Sequence, residues 1–159
     1  MLVRAEAAAV TVRECAGGSL VDWLVAANEA YRRQVGYRGP EPPFIHALGQ
    51  VPKAAQSRQV LIAMEGDEPI AGVILQRHGR CATYYVGCTT PRGRELRAHH
   101  LLLWRSVLFL RERGVTALDL GGIDTVNAPG LARFKLGMGG AVTTLAGTYL
   151  GTPLPRAVA

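Results

Sequence analysis

The sequence predicts an α/β protein (α+β in its segregation of strands and helices), built on a mixed central sheet with helices on both faces. Three observations carry that expectation. Apolar runs at 59–65, 69–76 and 81–88 are separated by the turn signals Gly66-Asp67-Glu68 and His78-Gly79-Arg80, the pattern of an antiparallel meander. A stripe of helical period then spans 95–113, and an apolar run follows at 115–120, so a crossover and a further strand are expected. The length of 159 residues, with 48% hydrophobic and 19% charged side chains, suits one globular domain over residues 1–159.

Taken in order, residues 2–14 hold a first strand. Gly17-Gly18-Ser19 offers a turn with Ser19 as a helix N-cap, and Leu20, Leu24, Ala27 and Tyr31 then recur at helical spacing over 20–35. A Gly/Pro-rich loop at 37–43 leads to a short second helix at 44–56. After the meander, Leu96, Leu103, Val107 and Leu110 form the inner stripe of one long helix. Trp104 and Leu108 widen it. Gly114 stands where a left-handed residue commonly ends a helix. The run at 115–120 reads as a buried strand stopped by Gly121-Gly122. A loop or short helix follows, and 141–149 closes the chain as one or two strands.

The net charge is +6, with sixteen arginines and only two lysines, Lys53 and Lys135. Between Arg77 and Arg113 eight arginines face two acids, Glu95 and Glu112. Charge alone is equally consistent with a polyanionic partner and with an arginine-rich solvated surface. Three cysteines without C-x-x-C spacing give neither a disulfide framework nor a zinc site, so no metal is expected, and a reducing cytoplasm fits. Arg4, Glu6 and Arg13 interrupt any signal-peptide core. The uncharged stretch 136–155 holds five glycines and two prolines, so it reads as strands and turns and no membrane contact is expected.

Residues 117–122 read ALDLGG and residues 133–140 read RFKLGMGG. This pair resembles the C-terminal acyltransferase domain of the Fem family, a branch of the GNAT fold. YYVGCTT at 84–90 and the leucine-rich helix with Trp104 resemble it too, so the likeness covers about residues 60–150. The resemblance implies a GNAT-like sheet and amide-bond formation. The donor would be aminoacyl-tRNA, with no cofactor besides it, and the acceptor the amine of a small peptide or amino-nucleoside in antibiotic biosynthesis. Met138 departs from the family pattern, where an aromatic residue is common. Peptidoglycan members carry two such domains and this chain is long enough for one; a homodimer could supply the other.

The candidate residues follow from the chemistry. An aminoacyl ester is already activated, so the protein must align the amine and stabilise an oxyanion. The resemblance places Lys135 at the reacting end, in a glycine-rich turn after Phe134, which could stack on the terminal adenine. Asp119 could orient the amine or take its proton, or simply cap its loop. Gly121 and Gly122 permit close backbone approach, and Gly137, Gly139 and Gly140 do the same in the second motif. Tyr84 and Tyr85 alternate faces, so one lies in the core and Tyr85 could line the cleft. Arg92, Arg94 and Arg97 gather at the start of the long helix, where a phosphate of tRNA or coenzyme A would be favoured. Acetyl-CoA enzymes of this fold carry Q/R-x-x-G-x-G/A at that junction. TTPRGRELRA at 89–98 lacks it, which favours a tRNA donor. Cys88 has no evident partner as a nucleophile, and the adjacent His99 and His100 point apart on a helix, unsuited to one metal. The alternatives are an acetyl-CoA-type N-acyltransferase and a non-catalytic RNA- or partner-binding domain.

Overall fold

The computed structural model describes residues 10–36 and 39–147. The chain divides into two compact units, Met1–Gly121 and Gly122–Ala159.

The first unit is a five-stranded sheet in the order β1-β2-β3-β4-β5, from β1 (Val10–Glu14), β2 (Arg58–Glu65), β3 (Glu68–His78), β4 (Cys81–Thr89) and β5 (Ala117–Asp119). The first four strands are antiparallel and β5 joins β4 in parallel, so the sheet is mixed. Helix α1 (Ser19–Val35) covers one face. There Val21, Leu24 and Val25 bury against Val60, Ile62, Met64, Ile74 and Val86, and Ile45 of α2 (Pro42–Gln50) joins them. On the other face α5 (Ala98–Glu112) brings Leu110 against Leu75 and Ala82. Alternate residues of each strand serve opposite layers because the pleat has a period of two. Helices therefore cover both faces, as the sequence predicts.

Several local expectations are corrected. Residues 2–9 of the expected first strand lie outside the described residues. Gly18, at φ 86°, is the N-cap of α1, and its carbonyl accepts from Val21 and Asp22; Ser19 is already helical. The inner face of α1 is Val21, Leu24 and Val25, which leaves Tyr31 44% exposed. The helix expected at 44–56 is broken into α2 and α3 (Pro52–Gln56), because Pro52 pushes Val51 into an extended conformation, ψ 116°. The long helix expected at 95–113 is present but starts later, as α5, and an unexpected short helix α4 (Pro91–Glu95) precedes it, the two joined through Arg97 in the left-handed region at φ 57°. Trp104 turns outward, 40% exposed, and Leu101, Leu102 and Ser106 are buried instead. Gly114 is left-handed, φ 72°, just past α5, as expected of it. The expected buried strand at 115–120 is the three-residue β5, with only Leu118 half-buried.

In the second unit α6 (Pro129–Gly137) opens with Pro129 and Gly130. Residues 141–147 carry no strand, and 148–149 lie outside the described residues. Among the described residues no helix is long and apolar enough to cross a membrane.

Candidate functional site

The sheet is incomplete at one place. β5 pairs with β4 only at Cys81, Ala82 and Thr83, and among the described residues β4 then runs on through Tyr84–Thr89 with β3 as its one neighbour. A strand edge without a neighbour presents backbone donors and acceptors. The pairing of β4 with β3 also shifts there: Ile74 faces Val86 and Leu75 faces Tyr84, so Tyr85 is the extra residue of a β-bulge. The bulge puts Tyr85 and Val86 on the α1 face together, and Tyr84 and Gly87 on the α5 face together.

Side chains attend this edge from both layers. Asn28 of α1 donates to the Gly87 carbonyl at 3.1 Å. On the α5 face the Tyr84 hydroxyl lies 3.0 Å from His99 Nε2, with the two rings edge to face at 5.8 Å. A Cβ on Gly87 would collide with the Tyr84 hydroxyl and stand 3.0 Å from His99 Cε1, so glycine makes room for the pair. His99 sits in the first turn of α5. Burial, assisted by His100, holds its pKa down at about 4, against a hydrogen bond to the Cys88 backbone. Tyr85 has its hydroxyl buried with no hydrogen-bond partner among the described residues, and burial raises its pKa. Burial also pushes the Cys88 thiol up, which leaves it a poor nucleophile.

Beyond the edge the chain turns tightly. Thr90 caps α4, its Oγ1 accepting from Gly93 N at 3.0 Å and donating to Ile70 O at 3.1 Å. A Cβ on Gly93 would strike Ile70 O and approach Thr89 Oγ1 at 2.7 Å. The three arginines do not share one helix start. Arg92 is held by Glu65 at 2.6 Å and Glu95 at 3.0 Å, which raises its pKa and lowers that of Glu65. Arg94 donates to Thr89 O at 3.1 Å, and Arg97 forms the left-handed link into α5.

Asp119 accepts from Gly121 N at 2.7 Å, so its carboxylate closes the turn after β5. Gly121 is left-handed at φ 75°, whereas Gly122 takes an ordinary φ. In the second unit Phe134 and Lys135 lie on α6, and not in a glycine-rich turn. Lys135 Nζ donates to Gly122 O at 2.7 Å, bracing the loop that precedes its helix. Gly139 is left-handed, φ 83°; Gly137 and Gly140 are not.

Two hollows lie elsewhere on the first unit. One, about 630 Å³, opens on the α5 face by β1, among Val12, Glu14, Leu61, Leu101 and Phe109. The other, about 380 Å³, lies between α1 and α2 among Asp22, Glu29, Arg33 and His46. Among the described residues no cluster of three His, Cys, Asp or Glu could hold a metal ion.

The model of the acetyltransferase (GNAT) domain family matches residues 2–136. No curated protein matches. Among solved structures, an acetyltransferase from Streptococcus agalactiae is similar with 17% identity and a TM-score of 0.68, over 93% of each chain. An aminoglycoside acetyltransferase from an uncultured soil metagenomic sample, in complex with trehalose, is similar at 14% identity and a TM-score of 0.64, over 91% of this chain and 97% of that one. An acetyltransferase of the GNAT family from Staphylococcus aureus is similar at 15% identity and a TM-score of 0.64, over 81% of this chain and 84% of that one. At these identities the likeness is one of fold.

The Tyr84–His99 pair, the bulge and Asn28 were missed in the sequence. Their signal was present only as a tyrosine, a glycine and a histidine at unremarked spacing. The bulge that brings the first two onto one face has no sequence mark of its own.

Proposed function

The chain belongs to the acetyltransferase (GNAT) domain family, and on that premise we propose that it is an N-acyltransferase moving an acyl group from coenzyme A to a small amine. The observation that carries this reading is the edge of β4 beside the bulge, which has no partner strand among the described residues and lies within the span the family model matches. An acyl-CoA arm is extended and bears amides, so it can lie along a strand edge as an added strand does. Backbone N–H groups fixed beside a bulge can meet an oxyanion without reorganising. Arg94 and Arg97, next along the chain, are the arginines of this stretch that can turn to the coenzyme's phosphates, since Arg92 is engaged by two carboxylates. Tyr85 can offer its hydroxyl to the bound acyl group. Asp22, in the hollow between α1 and α2, suits a cationic amine as acceptor, whereas Glu29 there is engaged by Arg32 and Arg33. One structure of like fold is named an aminoglycoside acetyltransferase, which is consistent with an amine acceptor.

The aminoacyl-tRNA donor is the second reading. Its support is the ALDLGG and RFKLGMGG pair and the absent Q/R-x-x-G-x-G/A loop. In that reading Lys135 and Phe134 attend the ester, and a second copy of the chain could complete the site. The family match and acetyltransferase neighbours favour coenzyme A over it. The test mixes purified protein with acetyl-CoA or with charged tRNAs, against a panel of amines and short peptides, and reads products by mass. Acetylated amine that survives RNase is the expected result. Product only from charged tRNA, abolished by RNase, would replace the first reading with the second. Binding without product from either donor would leave a non-catalytic domain.

A further inference from the structure

We propose that the hollow between β1 and α5 is a binding site for a zwitterion with an apolar body, of the class of the apolar α-amino acids, separate from the edge of β4.

Three elements build its lining. Leu101, Arg105 and Phe109 recur every four residues, so they form one stripe of α5 with the arginine between two apolar side chains. The sheet stands opposite. Val12 and Glu14 of β1 pair with Ala63 and Leu61 of β2, and cross-strand partners share a face. Val12, Glu14 and Leu61 therefore line the hollow together, and Gln59, two residues before Leu61, joins them on that face. The space is about 630 Å³.

Polar groups are left over in it. Gln59 is 4% exposed, and its amide oxygen is buried with no hydrogen-bond partner among the described residues. Ser106, next to Arg105, is fully buried and its hydroxyl is unpartnered too. These are the two buried polar residues among the described ones, so the polarity of the core is concentrated beside this hollow. A native fold rarely keeps such groups without a use for them. Glu14 and Arg105 are exposed. Among the described residues neither is in an ion pair, although Glu29 and Glu65 each hold an arginine elsewhere. Two opposite charges thus share one hollow without joining.

These groups define the ligand. The planar fork of Arg105 suits a carboxylate, and Glu14 suits an ammonium. A half-turn of the Gln59 amide exchanges its oxygen and nitrogen, so that side chain can serve either charge. Leu61, Leu101 and Phe109 take the apolar body, whose burial supplies affinity that two exposed charges do not. A plain cation leaves Arg105 unmatched and a plain anion leaves Glu14 unmatched; a zwitterion satisfies both. The site is not the acyl-transfer edge. β3 stands between β2 and β4, and strands lie about 4.8 Å apart, so the nearer lining strand is about 10 Å from β4.

The test titrates L-phenylalanine into the full chain, with no acyl donor present, and follows backbone amide spectra. Saturable shifts are expected over 10–14, 59–61 and 101–109, and not over 84–89. Phenylethylamine and 3-phenylpropanoate, each lacking one charge, should bind about tenfold more weakly or worse, the worth of one charge-assisted hydrogen bond. Glycine, which lacks the apolar body, should do the same. Arg105→Ala and Glu14→Gln should each weaken L-phenylalanine by about tenfold. Arg111→Ala, which removes the same charge from the same helix outside the hollow, should not. Gln59→Leu should weaken binding yet melt no lower than the wild type, because its buried oxygen has no hydrogen bond to lose. If Gln59→Leu does not fold, the ligand series and the two exposed positions decide. No saturable binding, shifts centred on 84–89, equal binding of the amine or the acid, or Arg105→Ala binding as well as Arg111→Ala would each overturn the site.

Discussion

The two halves of β4 are held by different means. From Cys81 to Thr83 the strand has β3 on one side and β5 on the other, and the backbone ladder does the work. From Tyr84 to Thr89 it has β3 alone among the described residues, and side chains take over: Asn28 on the Gly87 carbonyl, His99 on Tyr84, and Thr90 closing the turn onto Ile70. The contrast shows where a fold can host chemistry. A strand paired on both sides has no backbone group to offer. A strand paired on one side has several, provided something else keeps it rigid. Here the substitutes are polar and tightly fitted around two glycines, so this half should be the more sensitive to both pH and added atoms.

The largest effect expected is on acid stability. Unfolded, His99 titrates near 6.5; folded, it titrates at about 4. Between those values the unfolded chain binds a proton that the folded chain does not, so stability is complete above about pH 6.5 and is lost as pH falls toward 4. A shift of this size corresponds to something on the order of 3 kcal/mol. His100, whose pKa is also lowered by burial, adds to the same window. Urea midpoints at about pH 7 and about pH 5 should differ clearly in the wild type and less in His99→Gln. Equal pH dependence in the two proteins would remove His99 from the account and make the halves of β4 alike in this respect.

A smaller effect is expected from added methyl groups. Gly87→Ala forces the Tyr84 hydroxyl off His99, and Gly93→Ala drives a Cβ against the Ile70 carbonyl, where backbone must give way. Each should cost about 1–3 kcal/mol. Gly122→Ala meets nothing within 4 Å and has no left-handed φ, so its melting temperature should stay near the wild type. If Gly87→Ala melts like Gly122→Ala, the packing around Tyr84 is looser than described, and the comparison between the halves weakens.

The smallest effect belongs to Asn28→Ala. It leaves the Gly87 carbonyl to water at an edge that is already open, for about 1 kcal/mol. The sharper readout is local: amide hydrogen exchange should quicken over 84–89 and stay slow over 81–83. Uniform change along β4 would mean that Asn28 supports the whole strand and not its open half.

The amino-acid sequence by itself determined the layered architecture. The meander was legible because apolar runs of strand length alternate with Gly-containing turns, and the covering helices because their apolar residues repeat near 3.6; both are local patterns that burial enforces residue by residue. It did not determine where helices break by backbone strain. Arg97 adopts a left-handed φ of 57° with no glycine to announce it. The amino-acid sequence marked part of the inward side of α5, since Leu103 and Leu110 of the expected stripe are buried, but not its full width: Trp104 and Leu101 are equally apolar in the sequence and only the sheet decides between them. The conspicuous glycine motifs point to Asp119 and Lys135, whose hydrogen bonds to Gly121 N and Gly122 O each close a neighbouring loop. The Tyr84–His99 pair was illegible for a different reason. It depends on a register shift between β3 and β4, and a register shift is the outcome of pairing two strands, each with its own packing. Its cause is tertiary, so no run of residues along one strand contains it.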